Sequence, residues 1–564
     1  MSEIRSCDNF GAAGGTAFDP TSSRREALSE LHTGESVAAG FIRAVHRWPN
    51  RAALEIGGQV TTYAELGQYA LAVADGLRSI PDDWVQVGII ARRSRQAYAA
   101  VLGVLVTGRT FVPLDPSQPP ARNQQILRSS GARVIIGDEQ SPAALGDLLD
   151  DIESDCLILL PPAASFANLA HRFPRHQFVS LNDLGDRDLK WPQEIPTYGP
   201  AYLMFTSGSS GAPKGVPVNH QNLGAYLSAA RVLFGLQPDD RVSGFFELTF
   251  DLGMHDLFVT WQAGACLCVV PPTSLLVPAK FIKERQLSVW FSVPSVIFLL
   301  QRMGRLPPNS FPLLRLSLFC GEPLPLTSAE AWAVAAPNSV VENLYGPTEA
   351  TIAITRHRFH RAETKTVRQT APIGKPFPHH RVAVVDEELV EVSRGDAGEL
   401  CLQGPQITEG YWWDPALTER KFVFLPGMDS SDIWYRTGDR VVADEDGDLH
   451  FLGRLDTQIK IHGHRVELEE IDSALRQAAG TDFALAVAVT DDGGLVRQIV
   501  GCVVAGMHGG KKNEIEMINK CRNLLPDYMV PNRIVQVSNI SRTPTGKLDR
   551  ASLAESLQMK SVKK

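Results

Sequence analysis

The chain has 564 residues, which is enough for more than one domain, and 44% of them are hydrophobic, which supports a globular core. The 55 basic and 63 acidic residues give a formal net charge of −8, so the chain lacks the basic excess of a general nucleic-acid-binding protein. No signal peptide and no apolar run near the length of a membrane helix is recognisable, so we expect a cytoplasmic protein without a membrane partner.

The first predicted elements lie before residue 80. Residues 1–35 show no sustained hydrophobic period and are expected to form a mobile leader. A helix near 37–47 and a strand pair near 52–62 follow. Thr62 and Glu65 have the spacing of a capping box that opens a further helix. The apolar face predicted for that helix consists of Leu66, Tyr69, Ala70, Val73 and Leu77.

Strands and helices alternate after this point, which predicts an α/β fold with parallel sheets covered by helices. After about residue 380 the pattern changes, and alternating apolar runs predict antiparallel strands joined by turns. A last segment, 457–564, is predicted to fold as β, α, β, β, α, β. The apolar runs predicted as strands of the first part are 85–90, 111–113, 133–136, 157–160, 241–246, 266–270, 288–293 and 315–320, and the helices between them begin with 95–105 and 122–129.

The eight cysteines are expected to be buried thiols rather than disulfides or zinc ligands. None forms a Cys-x-x-Cys pair, and Cys266 and Cys268 lie inside the apolar run CLCVV. Free thiols of this kind are typical of a reducing compartment.

The segment 201–220 carries the most specific chemical signal. An apolar run ends there in a turn rich in glycine and hydroxyl residues, which can bring backbone N–H groups close to phosphate oxygens. A Walker A loop is excluded, because Pro213 precedes the lysine. By composition alone the turn could equally be a surface loop. The residues predicted to bind nucleotide in this segment are Thr206, Ser207, Gly208, Ser209, Ser210, Gly211 and Lys214.

The full string 201–220 resembles the phosphate-binding loop of the adenylate-forming superfamily, which comprises acyl-CoA ligases, luciferase-like enzymes and the adenylation domains of nonribosomal peptide synthesis. Further motifs of this superfamily follow in order over roughly residues 40–555. The resemblance implies ATP and Mg²⁺ as cofactors. It also implies a large core domain, 36–455, with parallel-rich sheets and a distorted β-barrel, and a small mobile α+β lid, 456–564.

Asp251 lies among apolar residues in the motif ELTFDLGMHDLF. A buried carboxylate is costly unless it has a partner, and a helix N-cap is one alternative that would provide it. In the amino-acid-activating members of the superfamily, the aspartate that matches this position receives the α-ammonium of the substrate. The resemblance therefore implies an amino-acid substrate.

Four further motifs receive roles from the resemblance. In NLYGPTEAT, residues Asn343, Tyr345, Gly346 and Thr348 bind nucleotide and Glu349 holds Mg²⁺. Asp439 of YRTGD accepts hydrogen bonds from the ribose, with Arg454 nearby. Each would be an ordinary turn in isolation. The remaining roles are the hinge at Asp456, a loop with Lys460 and Gly463 that faces the site in the second half-reaction, and the catalytic Lys547 of PTGKLDR.

The substrate pocket can be carried over in the same way. Its walls are mostly aliphatic with one aromatic ring and bear no charge unless His255 is protonated, which predicts a compact apolar side chain. The set resembles that of freestanding L-prolyl-AMP ligases, so L-proline is the first expectation and another small apolar amino acid the second. Beside Asp251 and Lys547, the predicted pocket residues are Leu252, His255, Phe291, Leu318, Cys320, Leu344, Ile352 and Ala353.

The predicted reaction has two steps, in which Thr206, Glu349, Lys460 and Lys547 form the catalytic set. An amino acid reacts with ATP to give aminoacyl-AMP, which passes to the phosphopantetheine thiol of a carrier protein. The carrier is expected to act in trans, because the chain ends soon after the lysine motif. An acyl- or aryl-CoA ligase and an inactive nucleotide-binding paralogue remain alternatives. The need for a small accessory activator protein is left open.

Overall fold

A computed structural model describes residues 35–78, 80–161, 165–181, 190–208, 212–275, 278–361, 364–490, 495–504, 513–541, 548–550 and 552–554. Five of the predictions fall wholly or almost wholly outside these residues: the mobile leader, and the roles of Ser209, Ser210, Gly211 and Lys547.

The strands of the described part are numbered in chain order. They are β1 Ala52–Ile56, β2 Gln59–Thr62, β3 Gln86–Ile90, β4 Thr110–Leu114, β5 Val134–Gly137, β6 Leu157–Leu160, β7 Gln177–Ser180, β8 Tyr202–Thr206, β9 Lys214–Val218, β10 Arg241–Gly244, β11 Cys266–Val269, β12 Val289–Ser292, β13 Leu316–Phe319, β14 Val340–Tyr345, β15 Thr355–Arg358, β16 Lys375–Pro376, β17 Arg381–Val385, β18 Ala397–Gln403, β19 Phe422–Val423, β20 Trp434–Ala443, β21 Leu449–Arg454, β22 Gln458–Ile461, β23 His464–Glu467, β24 Ala484–Thr490, β25 Val496–Val504 and β26 Arg533–Val537.

The helices follow the same order. They are α1 Ala38–Arg47, α2 Tyr63–Gly76, α3 Arg95–Val106, α4 Pro120–Ser130, α5 Pro142–Leu149, α6 Ser165–Arg172, α7 His220–Phe234, α8 Leu252–Met254, α9 Thr260–Gln262, α10 Pro272–Leu275, α11 Pro278–Glu284, α12 Ser295–Arg302, α13 Leu326–Ala335, α14 Pro415–Lys421, α15 Leu468–Ala479 and α16 Glu514–Arg522, with a π-helical turn His255–Val259 between α8 and α9. None of the described helices has the length and apolar character that a bilayer crossing needs.

Two large, mostly parallel sheets form the first part of the molecule. One has the strand order β7-β6-β5-β3-β4-β8-β9, and the other has the order β16-β15-β14-β13-β12-β10-β11-β1-β2. In the described residues, the antiparallel pairs of these sheets lie at their edges, at β8–β9, β1–β2, β14–β15 and β15–β16. Inner strands such as β5, β11 and β12 are buried along their whole length, as expected when helices cover both faces of a parallel sheet. The predicted α/β class is confirmed.

A five-stranded antiparallel sheet follows, with the order β17-β18-β20-β19 and β21 paired to β20. It corresponds to the part predicted as a distorted barrel. Its last strand, β21, ends at Arg454, two residues before Asp456.

The last segment contains a hairpin, β22–β23, and a three-stranded sheet, β24-β25-β26, against which α15 and α16 pack. The prediction of a single strand at the start of this segment is wrong. Residues 458–467 turn back at Gly463 and form two antiparallel strands. Every hydrophobic cluster of the described residues lies wholly on one side of Asp456. The division into two domains at Asp456 stays a prediction.

Helix α2 shows where the sequence pattern holds and where it fails. The Thr62 side chain accepts a hydrogen bond from the Glu65 N–H, and the Glu65 side chain accepts one from the Thr62 N–H, so the predicted capping box is present. Tyr69, which we assigned to the apolar face, is 42% exposed instead. The guanidinium of Arg95 lies 4.3 Å from the centroid of the Tyr69 ring, so this ring contacts a cation instead of packing in the core.

Candidate active site

The predicted site residues line a cleft between the two large sheets and the β22–β23 hairpin. A cavity of about 210 Å³ is bounded by Tyr345, Asp439 and Arg454, together with apolar side chains such as Ile373. A smaller cavity of about 40 Å³ adjoins it and is lined by Asp251. The cleft lies at the carboxyl ends of parallel strands, where ligands of open α/β sheets bind.

Glu349 is an enclosed charge next to Thr348 and Arg465, which line the smaller cavity. It lies in a 3₁₀ turn after β14 and is fully buried. Its Oε2 accepts a hydrogen bond from Arg465 Nη1 at 2.7 Å, and its Oε1 accepts one from the Tyr411 hydroxyl at 2.6 Å. Lys214 Nζ lies 3.5 Å from Oε1. Burial alone would raise the pKa of Glu349, but Arg465 and Lys214 hold it well below its usual range, so the carboxylate is ionised.

The described part of the 206–215 loop faces the same carboxylate. Thr206 ends β8, and its buried hydroxyl has no hydrogen-bond partner among the described residues. The Ser207 hydroxyl donates to the backbone carbonyl of Arg465 at 2.7 Å. Gly208 cannot carry a side chain, since a Cβ there would lie 2.1 Å from the Ala212 carbonyl oxygen. Burial and the charge of Arg465 lower the pKa of Lys214 to about 8.

Asp439 and Arg454 form a buried ion pair at the wider cavity. Arg454 Nη1 lies 2.7 Å from Asp439 Oδ1, and the same guanidinium binds both oxygens of Asp456 at 2.8 and 2.5 Å. The Tyr345 hydroxyl donates to Asp439 Oδ2 at 2.5 Å. The predicted ribose residues and the predicted hinge residue are therefore joined through one arginine.

The predicted nucleotide-binding residues of the motif 343–351 lie close to both cavities: Tyr345 lines the wider one, and Gly346 and Thr348 line the smaller one. Asn343 is buried, donates its side-chain amide to the Pro372 carbonyl, and keeps its Oδ1 without a partner among the described residues. Gly346 has no room for a side chain, because a Cβ would lie 2.6 Å from Ala353 Cα. This close approach brings the motif 343–351 against the segment that carries Ala353.

Asp251 lies beside the smaller cavity and is 4% exposed. Burial raises the pKa of this carboxyl to about 6, while a hydrogen bond from the Thr348 side chain and the charge of Lys460 oppose the rise. Its side chain does not serve as a helix N-cap, since it makes no capping hydrogen bond to α8. The N-cap alternative therefore lacks its characteristic hydrogen bond to α8, although the Leu252 N–H helps to stabilise the ionised carboxylate.

The predicted side-chain pocket is closely filled by the protein itself. The ring centroids of His255 and Phe291 are 4.6 Å apart, and the Tyr226 hydroxyl lies 2.6 Å from His255 Nδ1. Burial lowers the pKa of His255 to about 3, so the ring is neutral near pH 7 and the pocket does not contain a protonated histidine. The remaining predicted pocket residues are also buried, namely Leu252, Leu318, Cys320, Leu344, Ile352 and Ala353.

The β22–β23 hairpin closes the cleft. Lys460 and Gly463 both line the smaller cavity, and Lys460 Nζ lies 5.6 Å from the Tyr345 ring centroid. The Gly463 N–H donates to Glu322 Oε1 at 2.9 Å. Gly463 has φ +82°, and a Cβ there would lie 2.4 Å from Val293 Cγ1. Only glycine fits this contact, so the hairpin is docked through a residue without a side chain.

Stacked rings support the docked hairpin. The His464 ring lies between the rings of Phe250 and Tyr528, with centroid distances of 5.5 and 3.8 Å. Burial lowers the pKa of His464 to about 4, so this ring is neutral near pH 7. Arg122 of α4 and Glu470 of α15 add a buried ion pair.

The donor set around Glu349 fits a hard divalent cation. Glu349 supplies an ionised carboxylate, the Thr206 hydroxyl has no partner among the described residues, and the Thr348 side chain lines the smaller cavity next to Glu349. Among the described residues, one further group of close metal-binding side chains exists, Glu55, Cys266 and Cys268. Two of its three side chains are thiols, which suit softer metals than a hard divalent cation, and Arg241 and Arg285 both pair with Glu55.

Sequence reasoning missed four residues that shape the site: Arg465, Tyr411, Glu322 and Tyr226. Arg465 belongs to a motif that was recognised, and its position two residues after Gly463 was an available signal. Tyr411, Glu322 and Tyr226 act through contacts 29 to 141 residues away in the chain. No local pattern marks such partners.

The comparisons with known proteins agree with this arrangement. A model of the family described as "AMP-binding enzyme" matches residues 41–412. The Vibrio cholerae adenylation domain AlmE, solved in complex with glycyl-adenosine-5'-phosphate, is 32% identical and has a TM-score of 0.81. That match covers 98% of this chain and 100% of AlmE.

A curated relative and a second structure extend the likeness. Delta-poly-L-ornithine synthetase of Acinetobacter baumannii is 29% identical over 532 residues. The match covers 93% of this chain and 37% of the synthetase, so the chain spans little more than a third of the length of that relative. Holo-PA1221, an NRPS protein containing adenylation and PCP domains, shares the fold at 24% identity and a TM-score of 0.73, over 94% of this chain and 86% of that one. The chain belongs to the AMP-binding enzyme family and resembles the adenylation domains of nonribosomal peptide synthesis.

Proposed function

We propose that this protein activates a small apolar amino acid with ATP, releases pyrophosphate, and transfers the aminoacyl group to the phosphopantetheine thiol of a separate carrier protein. In the first step a substrate carboxylate oxygen bonds to the α-phosphorus of ATP, and the bond from that phosphorus to the pyrophosphate oxygen breaks. In the second step the carrier thiol attacks the acyl carbon and AMP leaves.

The buried carboxylate of Asp251 carries the proposal. It lies in a cavity beside Thr348 and Lys460, is 4% exposed, and makes no capping bond to α8. A buried carboxylate with a raised pKa and free access to a cavity is suited to an incoming cation. The α-ammonium of an amino acid is such a cation, whereas an aryl or fatty acid has none. The observation therefore favours an amino acid over the CoA-ligase alternative.

The other residues receive roles in positioning ATP. Asp439, held by Arg454 and Tyr345, would accept hydrogen bonds from the ribose hydroxyls. The loop from Thr206 to Lys214 would bind the phosphates, with Ser209, Ser210 and Gly211 completing it. Lys547 would contact the substrate carboxylate and the α-phosphate, where a positive charge stabilises the transition state.

Glu349 is the proposed ligand of Mg²⁺, with Thr206 as a second oxygen donor. The ion would neutralise phosphate charge as in other phosphoryl transfers. Lys214, whose Nζ lies 3.5 Å from Glu349, would keep the departing pyrophosphate close to the same carboxylate.

The substrate side chain must be small, because Phe291, His255 and Tyr226 fill the space beyond Asp251. L-proline remains the first expectation, and glycine and alanine fit the same closed pocket. AlmE, solved with a glycyl adenylate, supports the smaller end of this range. Each buried methylene adds only about 0.8 kcal/mol, so the pocket discriminates mainly by excluding large side chains.

The second step uses the docked hairpin. We place the hinge at Asp456, between a core of residues 36–455 and a lid of residues 456–564, and assign Lys460 and Gly463 to the face that receives the carrier arm. The carrier would act in trans. The seven described cysteines are buried, unpaired thiols, which supports the expected reducing, cytoplasmic setting.

Amino-acid-dependent ATP–pyrophosphate exchange tests the proposal. We expect exchange with L-proline, glycine or alanine, and a loss of at least about a hundredfold in kcat/KM for Asp251→Asn, comparable with the removal of other electrostatic contacts to a bound substrate. Glu247→Gln, in the same segment but paired with Arg93, is the matched control. Exchange with an aryl or fatty acid that survives Asp251→Asn would move the protein to the CoA-ligase alternative.

Absence of exchange with every acid would have two explanations that a second experiment separates. ATP binding without turnover in every condition would indicate the inactive paralogue. Exchange that appears only on addition of a small accessory activator protein would establish that partner instead.

A further inference from the structure

The wider cavity of the cleft has walls from both sides of Asp456. Tyr345 and Asp439, two of the predicted nucleotide-binding residues, line it from the core. Leu495 and Val496 line it from the lid, at the point where β25 begins. No sequence motif assigns a role to these two residues. Apolar side chains of the lid therefore form one wall of the cavity in which we place the nucleotide.

This wall belongs to the packed interior of the lid. Leu495 is 4% exposed. Val496 packs against the hydrophobic cluster that includes α15 and α16, and so does Ile459, which lines the same cavity from β22. Close packing of this kind fixes the wall relative to the rest of the lid. A movement of the lid therefore carries the wall with it.

The next residue of β25, Arg497, contacts the core directly. Its guanidinium carbon lies over the ring of Phe298 in α12, 3.6 Å from the ring centroid. At this position the negative face of the ring attracts the cation. Arg302 of the same helix lies farther from that centroid, at 5.8 Å. Strand β25 thus places the wall and its contact with the core in adjacent residues.

Helix α12 is itself fastened beside the cavity. The N–H of its first residue, Ser295, donates to Glu322 Oε2 at 2.9 Å, and Glu322 Oε1 accepts the Gly463 N–H. Glu322 also lines the wider cavity. Phe298 is therefore presented by a helix that is held at the cavity, so its contact with Arg497 determines where the wall lies.

We propose that Leu495 and Val496 contact the nucleotide, and that Arg497 is a positioning residue that holds them at the cavity through Phe298. The identity of the ligand, the AMP portion of the adenylate, rests on the proposed function. The apolar wall suits the base, whereas phosphate oxygens would lose their hydration there. AMP is then enclosed while the lid is docked, and it leaves after the thiol step only when the wall moves away.

Binding of AMP tests the proposal without turnover. Calorimetry on the full chain, in the absence of amino acid and carrier, gives the Kd for AMP. The wall contacts AMP only when the lid is docked, so docking and AMP binding stabilise each other. Arg497→Gln and Phe298→Leu should each raise this Kd about two- to fivefold, which corresponds to the loss of one exposed cation–π contact.

Three further variants sharpen the test. The double variant Arg497→Gln/Phe298→Leu should raise the Kd no more than either single change, because both changes remove the same contact. Arg497→Lys keeps a cation that can lie over the ring and should give a smaller rise. Arg522→Gln is the matched control in the lid, since the Arg522 side chain bonds to Asn519 within α16, and it should leave the Kd unchanged.

An AMP Kd that Arg497→Gln leaves unchanged would overturn the proposal, and so would additive effects of the two single changes. If the variants do not fold, hydrogen exchange on the wild-type protein decides. Saturating AMP should slow exchange of the amides of 296–302 and 496–500, which carry the two halves of the contact. Exchange that AMP does not alter in either segment would contradict the proposal.

The outcome is separable from that of the proposed function. Pyrophosphate exchange with an amino acid, together with an unchanged AMP Kd in Arg497→Gln, removes only the wall and its positioning residue. A raised AMP Kd in a protein that shows no exchange with any acid keeps the wall and removes the amino-acid reaction.

Discussion

Asp251→Asn should make the protein more stable while it removes amino-acid activation. A rise in pKa from 3.8 to about 6 means that holding the ionised Asp251 carboxylate in the folded protein costs about 3 kcal/mol at neutral pH. Asparagine avoids this cost because it stays neutral and can still bond to Thr348. A substrate ammonium offsets the cost in the wild-type protein, and asparagine offers it no charge.

The pH dependence follows from the sign of the shift. The folded state binds the Asp251 proton more tightly than the unfolded chain, so the cost is complete above pH 6 and is lost as the pH falls towards 4. The stability gain of Asp251→Asn should therefore be largest at pH 7 to 8 and should shrink below pH 6. Thermal or urea unfolding of both proteins at several pH values measures it.

Substrate binding should show the same pKa. Only the ionised carboxylate pairs with the ammonium, and for a pKa near 6 its ionised share falls about tenfold between pH 7 and pH 5. The KM for the amino acid in pyrophosphate exchange should rise accordingly, while the KM for ATP serves as the internal control. A variant that is less stable than the wild type at pH 7.5, or an amino-acid KM that stays flat over this range, would refute the reasoning.

Three further changes separate the parts of the site. In Gly463→Ala the new Cβ would lie 2.4 Å from Val293 Cγ1, so we expect carrier loading to fall about tenfold or more while pyrophosphate exchange is retained. Gly447→Ala is the control, because Gly447 also has a positive φ but has open space around it. An equal loss in both variants would point to backbone strain alone. His255→Ala should open the closed pocket and raise the kcat/KM for leucine relative to glycine by roughly tenfold in the exchange assay, which an unchanged ratio would contradict. Arg454→Gln removes the guanidinium shared by Asp439 and Asp456, so the Kd for ATP should rise about tenfold in calorimetry. Arg381→Gln is the control, because it breaks an ion pair with Asp432 remote from the cleft and should leave the Kd for ATP unchanged.

Local sequence chemistry accounts for what could be predicted. Thr62 and Glu65 are three residues apart, so their reciprocal capping bonds depend on one turn of backbone. The apolar runs become buried strands because their length and composition suit a covered parallel sheet. Asp251 could be singled out because a carboxylate within an apolar segment needs a specific partner.

The rest depends on contacts between distant parts of the chain. Tyr69 has the helical spacing of a core residue, yet its ring is 42% exposed and contacts the guanidinium of Arg95 on the neighbouring α3. Whether Arg465 faces solvent or Glu349 is decided by the docking of the hairpin, which is a property of the tertiary structure. The sequence pattern predicts one strand where the hairpin has two. In the sequence, a turn with glycine in a left-handed conformation resembles an interruption within a single strand.

The chemistry of the interface is compatible with the proposed movement of the hairpin about Asp456. The apolar clusters of the described residues lie on separate sides of Asp456, so none of them is a hydrophobic core shared by the two parts. Hydrogen bonds from Ser207 and to Glu322, together with the ion pairs of Arg122 and Arg465, carry much of the docking. Polar contacts of this kind exchange with water at about 1 kcal/mol net each, unlike a buried apolar surface. The pair of Arg465 with Glu349 belongs to the same class, since the buried carboxylate also has Lys214 as a cationic neighbour and does not depend on the hairpin alone.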